Sequence, residues 1–145
     1  MNDKISIEEI QYHEDDRAQR YLNIFDLSEG QINVSYVNST DHVVAWHAHE
    51  IQTDYWCCLK GSFKVGLAYP VCKDKNNLNK YEVKWVFLSD KNPRTLTIPP
   101  GVYHGYRALE PESVLLYYLT EKYNPLDEVR VNIGDFGESW ETENG

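Results

Sequence analysis

From Tyr21 to Leu119 the chain is a succession of short stretches in which apolar and polar residues alternate, each closed by Gly, Pro, Asn, Asp or Ser. No long segment carries the 3.6-residue apolar period of an amphipathic helix. Alternation with a period of two is what a strand shows when one face meets a core. The predicted strands cover 22–27, 31–37, 43–49, 55–59, 63–69, 81–88, 95–99 and 113–119. Turns fall at 28–30, 38–41, Gly61 and 89–93, and the Asn- and Lys-rich run 73–80 reads as a solvated hairpin loop. Short strands at this spacing form a β-sandwich or a closed barrel. An aromatic content of 13%, with 11 Tyr and 4 Trp, suits strands better than helices.

At 145 residues the chain is long enough for one core without disulfide help, and a single domain is expected over 1–145. Residues 1–20 are polar and acidic. Ile5, Ile7 and Ile10 can make a short edge strand lent to a partner subunit, and 15–22 equally suits a helical turn. Residues 133–145 read as an acidic tail over the surface. Cys57 and Cys58 are neighbours that point to opposite faces of a strand, so they do not pair with each other. With Cys72 they make an odd number of thiols, as in a reducing cytoplasm. The N-terminus has no apolar signal core and no run approaches ~18 apolar residues. A cytoplasmic protein with no membrane partner is expected.

Fourteen Lys and Arg against 23 Asp and Glu leave a net charge of −9, which argues against nucleic acid or an anionic membrane as partner. It leaves room for a phosphorylated metabolite in a local basic pocket.

Chemistry concentrates in two places. His47 and His49 are one residue apart in a strand and therefore share a face. Asp54 follows past a bend, and Gly61 after six intervening residues. Far downstream, Pro99-Pro100-Gly101-Val102-Tyr103-His104 offers a third imidazole. His47-x-His49, Asp54, Gly61 and then Pro99-x-Gly101-x-x-His104 resemble the paired motifs of the cupin superfamily, with Asp54 where metal-binding members usually carry Glu. Pro93 and Ala108 stand where the second motif's leading Gly and closing Asn belong. The implied fold is all-β: a cupin-type double-stranded β-helix, or jelly-roll barrel.

A closer resemblance covers residues 31–132. Val43-Val44-Ala45-Trp46-His47, the block from Leu96 to Leu109 and the segment Leu116-Tyr-Tyr-Leu-Thr-Glu-Lys-Tyr123-Asn-Pro125 are similar to dTDP-4-dehydrorhamnose 3,5-epimerases. The spacing from His47 to Gly61 is also similar to that of sugar-nucleotide 3,4-ketoisomerases. The resemblance implies epimerisation or isomerisation of a 4-keto, nucleotide-linked deoxysugar, no metal, and a homodimer paired through its sheets. It implies His47 as base and Tyr123 as the group that returns a proton from the other face. The family's Arg and Gly shortly before the catalytic His are Val44 and Ala45 here. Its partner Asp, well beyond the Tyr, has no expected counterpart, so Asp54 or another carboxylate is left to orient His47.

Residue chemistry agrees with that role. A proton beside a ketone needs a base with a pKa near neutrality and stabilisation of the enolate oxygen, and imidazole titrates near about 6.5. Lys60, His49 or His104 can stabilise the enolate, and Lys60 and Arg107 are the candidates for phosphate. The expected substrate-binding set is therefore His49, Asp54, Lys60, His104 and Arg107. His13 and His42 have no partners in view and read as structural or surface residues. Trp46, Trp56 and Trp85 read first as core and second as a sugar-stacking surface. Two other readings remain open. His47, His49, Asp54 and His104 together suit a divalent transition metal, as in a metal-dependent dioxygenase or isomerase. A sugar-binding cupin without catalysis is the other.

Overall fold

Alternation decides what each strand buries, and in this chain it builds two faces of opposite character. The computed structural model describes residues 5–71 and 80–141. The strands are β1 (Gln11–Glu14), β2 (Gln19–Leu22), β3 (Gln31–Val37), β4 (Val43–His49), β5 (Asp54–Lys60), β6 (Ser62–Pro70), β7 (Tyr81–Ser89), β8 (Thr95–Ile98), β9 (Tyr103–Ala108), β10 (Ser113–Leu119) and β11 (Glu128–Arg130). One antiparallel sheet runs β1-β2-β3-β10-β5-β8 and the other β11-β4-β9-β6-β7. This is the expected all-β jelly roll, with the interleaved strand order that defines the cupin barrel.

Between the sheets, Trp56, Phe63, Val65, Leu88, Ile98, Tyr106 and Leu115 form the main buried cluster. It fills one end of the barrel. Towards the other end the inward side chains turn polar: on β3 the buried positions are Gln31, Asn33, Ser35 and Val37. The apolar residues Ile32, Val34 and Tyr36 face outward instead. Buried polar groups need partners, and these have them, as Gln31 Nε2 donates to Asn33 Oδ1 at 3.0 Å and Ser35 bonds the Tyr117 hydroxyl at 3.2 Å. A barrel lined this way holds a polar cavity rather than a second core.

A second apolar cluster lies outside the β4 sheet. Trp46, Ala48, Ala68, Tyr103 and Trp140 are buried there, with Phe136 against them. Trp140 packs on Trp46 and Trp85 with ring centroids 5.1 and 4.8 Å apart. Gly66 makes room for this stack, since a Cβ there would lie 2.6 Å from the Trp46 ring. Glu138 accepts from both indoles, at 3.2 Å from Trp46 and 2.8 Å from Trp140.

Several expectations change here. The acidic tail does not lie loosely over the surface: through residue 141 it folds back as a cover for the outer sheet face. Residues 5–10 form no strand, and Ile5 and Ile7 are 95% and 98% exposed. The stretch 15–22 is not helical but a turn, closed by Asp15 N–H to Ala18 O at 3.1 Å, leading into β2. The strand predicted over 22–27 does not form: β2 lies earlier and stops at Leu22, and Asn23 takes a left-handed conformation with φ of 51°. β1, β9 and β11 had no predicted counterpart. Cys57 and Cys58 are free and face opposite ways as expected, while Cys72 and 73–79 of the predicted loop lie outside the described residues. No helix among the described residues is long and apolar enough to cross a membrane.

Candidate active site

The cavity, about 580 Å³, opens between the two sheets. His47 and His49 reach it from β4, Asp54 and Trp56 from β5, His104 from β9, Tyr117 from β10 and Tyr123 from the loop beyond. Parity explains the sorting on β4, where Trp46 and Ala48 point into the outer cluster and the two histidines point in. The two motifs are tied by one backbone bond, from Gly101 N–H to His49 O at 2.8 Å. Gly101 makes that turn with φ of 85°, where an L side chain would be strained.

His47 has a partner carboxylate after all. Its Nδ1–H donates to Glu128 Oε1 at 2.7 Å, leaving Nε2 as the nitrogen free to take a proton. Glu128 sits five residues past Tyr123, not far downstream, on a strand of three residues paired to β4. It is oriented in turn by Arg130, 3.1 Å from its other oxygen. Burial lowers the His47 pKa below its ordinary value, against the upward pull of Glu128. Burial alone would raise Glu128, yet its bonds from Arg130 and His47 hold it below the usual carboxylate range. A neutral, oriented imidazole beside an ionised carboxylate is the arrangement of a general base.

Asp54 does not orient His47. Its Oδ1 accepts from Gln52 Nε2 at 2.7 Å and its Oδ2 from Trp56 Nε1 at 3.2 Å. Its nearest imidazole is His104, with Nε2 3.5 Å from Oδ2. His104 Nδ1–H donates to Val102 O at 3.1 Å, and burial, opposed by Asp54, depresses its pKa. His49 stacks on His104 with centroids 5.4 Å apart and donates from Nδ1 to Asp127 O at 3.1 Å. Asp127 is the clamp of this corner. Its carboxylate accepts the N–H groups of Glu50, Ile51 and Gln52, at 2.9, 3.2 and 3.2 Å.

Tyr123 stands at the rim, 66% exposed, with its N–H bonded to Gln31 Oε1 at 3.2 Å. Two predicted binding residues are elsewhere. Arg107 is on the outer face of β9, where it donates to Thr40 O at 2.8 Å and Trp140 O at 3.0 Å and so fastens the C-terminal cover. Lys60 ends β5 beside Glu112, 3.8 Å away, roughly 20 Å along the strand from Asp54. The cations on the cavity wall are instead Arg17, Arg20 and Arg130. Arg17 and Arg20 are held by Asp15 at 2.8 and 2.9 Å. His13, expected to be structural or superficial, also borders the cavity.

The chain matches the family model described as dTDP-4-dehydrorhamnose 3,5-epimerase over residues 10–143. It is similar to the spore coat polysaccharide biosynthesis protein SpsL of Bacillus subtilis, at 34% identity over 99% of both chains. Its fold is that of the dTDP sugar isomerase of Desulfovibrio desulfuricans, with a TM-score of 0.65 and 21% identity over 91% of this chain and 87% of that one. The dTDP-4-dehydrorhamnose 3,5-epimerase of Bacillus anthracis, solved with TDP and pyrophosphate bound, gives a TM-score of 0.60 and 20% identity over 85% and 84%. The chain belongs to the dTDP-4-dehydrorhamnose 3,5-epimerase family and is an enzyme of the sugar-nucleotide epimerase and isomerase class.

Proposed function

We propose that this enzyme moves a proton at a carbon beside the ketone of a 4-keto, nucleotide-linked deoxysugar, with His47 as base. The observation that carries this reading is the 2.7 Å bond between His47 and Glu128 inside the cavity. His47 Nε2 takes the proton, and the electron pair of the broken C–H bond moves onto the carbonyl oxygen to give an enolate. Glu128 stabilises the imidazolium that forms. Tyr123 returns a proton to the same carbon from the opposite face, which inverts the centre. If a proton is returned instead to the former carbonyl carbon, and the hydroxyl on the deprotonated carbon gives its proton to the enolate oxygen as its own C=O forms, the ketoisomer results.

Arg17, Arg20 and Arg130 support an anionic substrate, since guanidinium groups on a cavity wall suit a diphosphate. They take the place of the residue missing at Val44. The test is proton NMR in deuterium oxide with a dTDP-4-keto-6-deoxysugar. Deuterium should enter at a carbon flanking the ketone with wild-type protein and not with His47→Gln. Full exchange by His47→Gln would remove His47 from the role of base. We further propose a cytoplasmic homodimer built on the outer face of the β3 sheet, where Tyr12, Tyr21, Tyr36 and Tyr55 are all exposed.

A further inference from the structure

The carboxylate behind the proposed base sits on a weak piece of secondary structure. β11 has three residues, lies at a sheet edge and pairs with β4 alone. A strand that short does not keep its own register. Register matters here, because Glu128 and Arg130 face the cavity while Val131 packs on the outer cluster. A slip of one residue would turn Glu128 away from His47 and bring Val129 into its place.

Two anchors fix β11. Just before it, the Asp127 carboxylate holds the 50–52 turn. Just after it, the pairing runs one residue further, as Trp46 N–H donates to Val131 O at 3.3 Å and Val131 N–H to Trp46 O at 3.2 Å. Trp46 is thus joined to β11 by its backbone and to the C-terminal cover by its ring. Glu138 is where the cover closes on that ring. Its Oε2 accepts from the Trp46 and Trp140 indoles and from Gly134 N–H at 2.8 Å, and its Oε1 from Phe136 N–H at 3.2 Å. Three of these four donors belong to the segment that follows Val131, and the fourth to the residue next to His47. Lys64 fastens the far end, with Nζ donating to Ser139 O at 3.3 Å and Glu141 O at 2.9 Å. Glu138 itself does not line the cavity.

We infer that Glu138 is a positioning residue of this enzyme: by knotting the C-terminal cover onto Trp46 it keeps β11 in register, and so keeps Glu128 against Nδ1 of His47 from the far side of the sheet. Its consequence for turnover rests on the proposed reaction. Its consequence for the His47 proton does not, since the tautomer is a property of the resting protein.

Full-length protein with ¹⁵N-labelled histidine is followed by two-bond proton–nitrogen NMR, which tells a protonated ring nitrogen from a bare one. The His47 signals are those missing in His47→Gln. Wild type should carry the His47 proton on Nδ1, and Glu138→Ala should lose that preference and mix the two tautomers. In the same variant kcat should fall about 10-fold or more, with KM changed less than about 3-fold. Glu138→Gln keeps one oxygen that can take the place of Oε2, so its kcat should stay within about 3-fold of wild type. In a Glu128→Gln background Glu138→Ala should cost less than about 2-fold further, because the group it positions is already gone. Circular dichroism fixes a temperature at which each variant is folded. Trp140→Phe removes one of the four donors but keeps a ring, should shift the tautomer the same way, and carries the test if Glu138→Ala does not fold. An unchanged tautomer in the folded variant overturns the inference, and so do fully multiplicative losses in the double variant. Deuterium exchange by wild type with no tautomer change in Glu138→Ala would leave the proposed reaction standing without the inference. A tautomer change in a protein that exchanges no deuterium would do the reverse.

Discussion

Glu128 determines which nitrogen of His47 carries a proton, and in the proposed reaction its charge would stabilise the imidazolium. Glu128→Gln keeps an acceptor oxygen but not the charge. Turnover should fall by about 10²-fold or more with KM changed only a few-fold, as steady-state kinetics would show. Asp127 has a structural task next door. Asp127→Ala leaves three N–H groups of the 50–52 turn without their acceptor, so a loss of about 2 kcal/mol is expected in denaturant unfolding. At this scale much was legible beforehand. The shared face of His47 and His49 followed from parity, and so, in principle, did the error over Arg107, which is an odd number of residues from His104 and must face the other way. Lys60 was misjudged because nearness to Asp54 in sequence becomes distance along an extended strand. Glu128 was overlooked because a strand of three residues carries too little alternation to register, although Glu128-Val129-Arg130-Val131 does alternate.

Among the elements, the C-terminal segment departed furthest from its composition. Its acidic character suggested a solvated tail, yet Phe136 and Trp140 are what cover Trp46 on the outer sheet, and two widely spaced aromatics leave no periodic signal. Trp140→Ala removes the centre of that stack and should cost about 3–5 kcal/mol in urea unfolding. The turn before β2 behaves differently. Hydrogen bonds from Arg17 and Arg20 hold the Asp15 carboxyl well below the usual carboxylate range, against the upward effect of burial. A folded-state pKa below the unfolded one means stability that is present above about pH 4 and lost as pH falls below it. Asp15→Asn should therefore be about 1 kcal/mol less stable than wild type at pH 7, and the gap should close on titration below pH 4.

Taken whole, the barrel has a polar inside at one end and an apolar outside on the β3 sheet, the reverse of the usual expectation for alternating strands. Two rows cross the outer face, Tyr12-Tyr21-Val34-Leu116-Cys57 and Ile32-Tyr118-Tyr55, each aligned by strand register. Sequence alternation correctly gave the faces of β3 but could not say which one would be enclosed. If a second copy covers those rows, Tyr21→Glu should shift sedimentation from dimer to monomer at micromolar concentration with an unchanged circular dichroism spectrum. A wild-type protein that sediments as a monomer would refute the dimer. The segment from Tyr123 to Glu128 carries a consequence for mutagenesis. Its six residues hold the proposed acid, the clamp on the 50–52 turn and the carboxylate behind the base, while Leu126 at its middle is 94% exposed. Because one loop carries both, any substitution that displaces 124–127 would withdraw the proposed acid and the carboxylate behind the proposed base together, so the two roles proposed here are not separable by changes in that loop.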